Sequence, residues 1–72
     1  MTRYAIVVEK GPTNYGAHVP DLPGCLAAAE TKEEVLKLIR EAIEFHLDGM
    51  REEGLAIPQP SSTAEYVEVA LV

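Results

Sequence analysis

Only one of the 72 residues is a cysteine, Cys25, so the chain cannot close a disulfide on itself. Metal ligands and general bases are nearly as scarce: two histidines, His18 and His46, and two aspartates, Asp21 and Asp48. No Cys/His group has zinc-like spacing. The aspartates fall in a turn and on a polar helix face, so they do not pair for metal-dependent hydrolysis. Nothing resembles a phosphate-binding glycine loop. Cations are few as well, six Lys and Arg against 12 acidic residues, for a net charge of −6. Arg3, Lys10, Lys32, Lys37, Arg40 and Arg51 are scattered, and this balance repels a phosphate backbone. No apolar run is long enough to cross a membrane. The opening MTRYAIVVEK is too strand-like, and too short in its apolar part, for a secretory signal. These absences lead us to expect no catalytic set, no cofactor, no metal, no direct nucleic-acid contact and no membrane contact. A free thiol fits a cytoplasmic protein. The acidic balance serves solubility or draws a basic partner protein.

With 47% apolar residues the chain has an ordinary globular composition. Its length suits one domain, residues 1–72, near the lower limit for a chain that folds alone. Small cores usually need a disulfide, a metal or self-association, and only the last is left, so a homo-oligomer is expected.

Tyr4 to Glu9 (YAIVVE) is apolar at both sets of alternate positions, the pattern of a strand covered on both faces and central in its sheet. Lys10 to Asn14 carries Gly, Pro and Asn in succession. Tyr15 to Val19 then alternates, which predicts a β-hairpin with a loop of about five residues. Pro20 cannot donate to a ladder, so strand two ends there or lies at an edge. The stretch VPDLPGC (residues 19–25) is a stiff turn, and Cys25 to Glu30 reads as a third strand with Cys25 its first inward residue. Asp21 is expected to accept backbone hydrogen bonds within that turn.

Thr31-Lys32-Glu33-Glu34 is a capping box. The Thr31 hydroxyl accepts from the Glu34 N–H, and Glu34 reaches back to the Thr31 N–H. The helix it opens should run to about Glu53, with Gly54 as its left-handed cap. Val35, Leu36, Ile39, Ala42, Ile43, His46, Leu47 and Met50 share a face, and Leu38 and Phe45 widen its apolar arc to about 200°. Either the helix is deeply buried, or the Leu38/Phe45 flank meets a second chain. After the proline-rich Ile57–Ser62, Glu65 to Val72 (EYVEVALV) alternates as a half-buried fourth strand. The order β-β-β-α-β indicates an α+β fold, an antiparallel hairpin-based sheet with one helix packed on one face.

Cys25 could be a nucleophile only beside a cation, a helix N-terminus or a histidine base. His46 lies mid-face on the helix, and no Asn or Asp is placed to orient either imidazole. A buried, unreactive thiol is the better reading. His46 is read as a core or interface residue, and His18 as an ordinary strand residue.

The hairpin, the turn Val19-Pro20-Asp21-Leu22-Pro23-Gly24-Cys25, the start Thr31/Glu33/Glu34 and the exit Gly54, Ile57, Pro58, Pro60, Ser61 together resemble the HicB-like antitoxin family of type II toxin–antitoxin systems. The likeness covers nearly the whole chain. It implies a truncated ribonuclease-H-like fold and inhibition by contact. HicB proteins bind HicA, a small basic mRNA-cleaving toxin, and cover its active surface. YAIVVE has no central Asp where a metal carboxylate would stand, so the likeness to ribonuclease H implies no nuclease activity. Many members append a DNA-binding domain; this chain is read as lacking one. The alternative is a solitary HicB-like structural or regulatory oligomer without a toxin.

Overall fold

The computed structural model describes residues 2–71. Three strands, β1 (Val7–Lys10), β2 (Tyr15–His18) and β3 (Leu26–Ala29), form an antiparallel sheet in the order β1-β2-β3. One helix, α1 (Lys32–Glu52), follows. Lys10 pairs with Tyr15 across a four-residue loop, closed by the Gly11 N–H donating to the Asn14 carbonyl at 2.7 Å. The hairpin therefore forms where the Gly-Pro-Thr-Asn signal placed it. β1 was expected at the sheet centre, but it is an edge strand and β2 is central. Its two apolar faces have separate reasons. Ile6 and Val8 pack toward the core, while Val7 lies on the sheet face that α1 does not cover.

The core is small. Among the described residues Ala17 and Val19 from β2 and its exit, Leu22 and Cys25 from the turn, and Val35 and Ile39 from α1 are its buried members. Register explains the sheet contribution: Val8, Ala17 and Ala27 stand opposite one another on one face, and the alanines let the helix approach closely. Val35 and Ile39, four residues apart, lie on the helix stripe that meets this face.

Thr31 caps α1 from an extended backbone (φ −124°, ψ 158°) and accepts from the Glu34 N–H at 3.1 Å. The return half of the box differs from expectation. The Thr31 hydroxyl donates to the Glu34 carboxylate at 3.1 Å, so Glu34 steadies the capping side chain instead of the Thr31 N–H. At the other end Gly54 takes φ +72°. Its N–H donates to the Arg51 carbonyl and the Leu55 N–H to the Met50 carbonyl, the two bonds of a Schellman cap.

Twenty-one residues at about 1.5 Å each make a helix about 31 Å long, whereas three strands at about 4.8 Å spacing span about 10 Å and four residues of strand about 13 Å. The helix therefore overhangs its sheet and is not deeply buried. Ala42, Ile43 and Leu47 still reach the core, but Phe45 is 83% exposed and Leu38 40%.

The expected fourth strand, residues 65–72, is unpaired over its described part, 65–71, and Val72 lies outside the described residues. A strand exists only against a partner, and this segment meets none: Tyr66 is 98% exposed and Leu71 93%. The described sheet thus has three strands, and the molecule is drawn out to 51 Å along one axis against 26 and 20 Å along the others.

Because the Thr31 side chain caps α1, Thr31→Ala should destabilise the fold by about 1 kcal/mol. Urea unfolding followed at 222 nm checks this; an unchanged midpoint would count against the cap.

Candidate functional site

The segment between β2 and β3 consists of two β-turns that share Leu22. In Val19-Pro20-Asp21-Leu22 the Leu22 N–H donates to the Val19 carbonyl; in Leu22-Pro23-Gly24-Cys25 the Cys25 N–H donates to the Leu22 carbonyl, both at 3.1 Å. Each turn has proline at its second position, where the fixed φ fits. The second has Gly24 at φ +84° in its third, the type II pattern that other residues resist. A bond from the Val19 N–H to the Cys25 carbonyl at 3.2 Å closes the pair. The result drives Leu22 inward to full burial and leaves Pro20, Pro23 and Gly24 exposed.

Asp21 was expected to accept hydrogen bonds within its own turn, but it does not. Its carboxylate accepts four hydrogen bonds from the chain 40 residues later: from the backbone N–H groups of Ser61 (2.9 Å) and Ser62 (3.0 Å) and from the Ser61 (3.1 Å) and Ser62 (2.8 Å) hydroxyls. The Ser62 and Ser61 N–H groups, then the Ser62 hydroxyl, hold its pKa down from 3.8 to about 2. Together with the Tyr4 hydroxyl donating to the Pro58 carbonyl at 2.5 Å, this clamp ties the proline-rich connector to the body. Sequence reasoning missed the pairing. The Ser-Ser step after Pro60 was its only local sign.

Cys25 is buried, and burial pushes its thiol pKa up, so the thiolate that a nucleophile requires is disfavoured. His18 pairs with Leu26 on one side and Val7 on the other, a cross-strand row on the sheet face away from the core. Cys25 lies on the core side, so the two do not face each other. His46 is half-buried on the overhanging helix. Among the described residues no three His, Cys, Asp or Glu side chains are grouped to hold a metal ion. None of their helices is long and apolar enough to cross a membrane.

What the fold does assemble is uncovered apolar surface. Phe45, His46, Gly49 and Met50 line a shallow groove on the overhang, completed by Glu53 and Leu55 beyond it. Leu38 stands seven residues before Phe45, two turns away on the same flank. A second bare area is the outer sheet face, where Leu26 is 68% exposed beside His18 and Val7.

Fold and surfaces together define a small α+β protein built around one rigid double turn and offering faces for contact. Over residues 4–70 the chain matches the family described as HicB_like antitoxin of bacterial toxin-antitoxin system, and it belongs to that family. A protein of Haemophilus phage HP1 described as an uncharacterized 14.9 kDa protein in the rep-hol intergenic region is 38% identical over 89% of this chain and 48% of its own length. Antitoxin HicB 2 of Photorhabdus laumondii is 34% identical over 93% of this chain and 49% of its own. The chain thus spans about half the length of these two relatives. Among solved structures, a chain of the HicA3 and HicB3 toxin-antitoxin complex aligns with a TM-score of 0.71 and 28% identity, covering 83% of this chain and 70% of that one.

The clamp titrates. Its folded-state pKa lies below the value of a free carboxyl, so its contribution is complete above about pH 4 and is lost as pH falls toward 2. The Ser61 and Ser62 amide resonances should therefore move with a midpoint near 2, and Asp21→Asn should abolish that titration. A midpoint near 3.8 in the intact chain would show that the four donors do not hold the carboxylate.

Proposed function

We propose that the chain is an antitoxin module that neutralises a small basic HicA-like mRNA-cleaving toxin by direct contact, in the cytoplasm and without catalysis of its own. The observation that carries this reading is the family match over residues 4–70, supported by the structural likeness to a chain of a toxin–antitoxin complex. Charge supports it too. A net charge of −6 suits a basic partner, speeding encounter and favouring the right surface. The partner is a protein, and nucleic acid is met only through it.

For the contact surface we propose the helix flank of Leu38 and Phe45. An aromatic ring 83% exposed at the edge of a groove is the kind of anchor that dominates protein interfaces. The double turn of Val19, Pro20, Asp21, Leu22, Pro23, Gly24 and Cys25 serves this role indirectly, by holding the sheet and connector on which the helix rests. The same flank could instead join copies of the chain into a regulatory oligomer without a toxin, the reading favoured if Phe45 proves to bind only its own kind.

Co-expression with a small basic protein encoded beside this gene should yield a co-purifying pair and restore growth that the protein alone arrests. Failure to bind, or a neighbour that does not cleave mRNA, would remove the antitoxin reading. Phe45→Glu should weaken the pair by about 30-fold, equivalent to about 2 kcal/mol for a central aromatic anchor. Unchanged affinity in titration calorimetry would move the contact surface elsewhere.

A further inference from the structure

Two parts of the fold have unmet needs of the same kind. β1 presents an open edge from Val7 to Lys10, with backbone N–H and C=O groups facing outward beyond the last strand of the sheet. Residues 65–71, EYVEVAL, have the alternation of a strand and no partner, with Tyr66, Val67, Val69 and Leu71 all exposed.

The segment has its own β1 within reach yet does not pair with it. Its root is fixed by Asp21 at Ser61 and Ser62. Tyr66 borders a shallow groove with Ile6, Val8, Lys10, Tyr15 and Lys32, but forms no ladder there and remains 98% exposed. Beyond it Val67, Val69 and Leu71 stay exposed as well.

We propose that residues 65–71 are an exchange arm: two copies of this chain associate about a two-fold axis, each laying its arm along the open β1 edge of the other. One symmetric arrangement then satisfies both free edges and both free arms, and the same contact is made twice.

Charge selects β1 over the other free edge. The arm carries Glu65 and Glu68 and no cation; β1 ends in Lys10, with Arg3 ahead of it and Lys32 in the groove beside it, three cations against the single Glu9 of the strand. β3 runs instead into Glu30, of like sign. Area is sufficient as well. An extended seven-residue segment exposes about 1,100 Å² by the scaling of unfolded chains, so two arms half-covered, with an equal area on the edges they meet, bury about 2,200 Å², above the standard interface of about 1,600 Å².

This inference is independent of the toxin reading, because its test needs only the chain itself. Neighbouring N–H groups along a strand point to opposite sides, so of Val67→Pro and Glu68→Pro at least one removes a ladder bond to β1. The intact chain should sediment with the mass of two chains. At least one of the two proline variants should raise the dimer dissociation constant tenfold or more, while circular dichroism keeps the helix, since the arm lies outside the core cluster. Two results would overturn the proposal. One is an intact chain of single mass, even with its arm amides protected, which would place the arm on its own β1. The other is a dimer that survives both prolines, whether or not Phe45→Glu disperses it.

Discussion

The fold depends on Leu22 being driven into the core by two successive turns. Neither turn alone would do this. The first reverses the chain after β2 and the second, through Gly24 at positive φ, returns it to the start of β3 with Cys25 inward. The shared residue has no freedom left and occupies the space beneath α1 with Val35 and Ile39. With only six buried apolar side chains among the described residues, removing one as large as leucine would cost about 2–5 kcal/mol, a sizeable part of what any small domain possesses. The alanines of β2 and β3 contribute by being small, since they set how closely the helix can lie.

Everything else in the body is arranged around that contact. Thr31 starts the helix immediately after β3, and Gly54 stops it about six turns later, well past the sheet. The excess helix leaves Phe45, Met50 and Leu55 over solvent, while the uncovered sheet face leaves Val7 and Leu26 bare on the other side. A core this economical cannot cover all the apolar side chains in the chain. The residues left outside it form the exposed apolar faces.

Local chemistry was legible in the sequence wherever it was self-contained. The Gly-Pro-Thr-Asn loop, the Thr31 cap, the Gly54 stop and the Pro-x-x-Pro-Gly turn each act over four to six residues, and each stands where the sequence placed it. Features that depend on distant partners were not legible. YAIVVE could not reveal that Val7 faces an uncovered side, because burial of one face is decided by where the helix lies. EYVEVALV has a strand's alternation, but alternation says nothing about whether an edge is there to receive it. The donors to Asp21 lie 40 residues away, in a segment whose composition suggests only an extended connector.

The Asp21 clamp also gives the molecule a mechanical polarity. Any pull applied to the chain beyond Ser62 meets the four hydrogen bonds at Asp21 before it can reach Gly54 and the end of the helix. Load therefore enters through the β2–β3 turn, one residue from Leu22, and the overhanging helix is shielded from it. The segment beyond Ser62 is thus tied to the core at that point and not through the Phe45 flank.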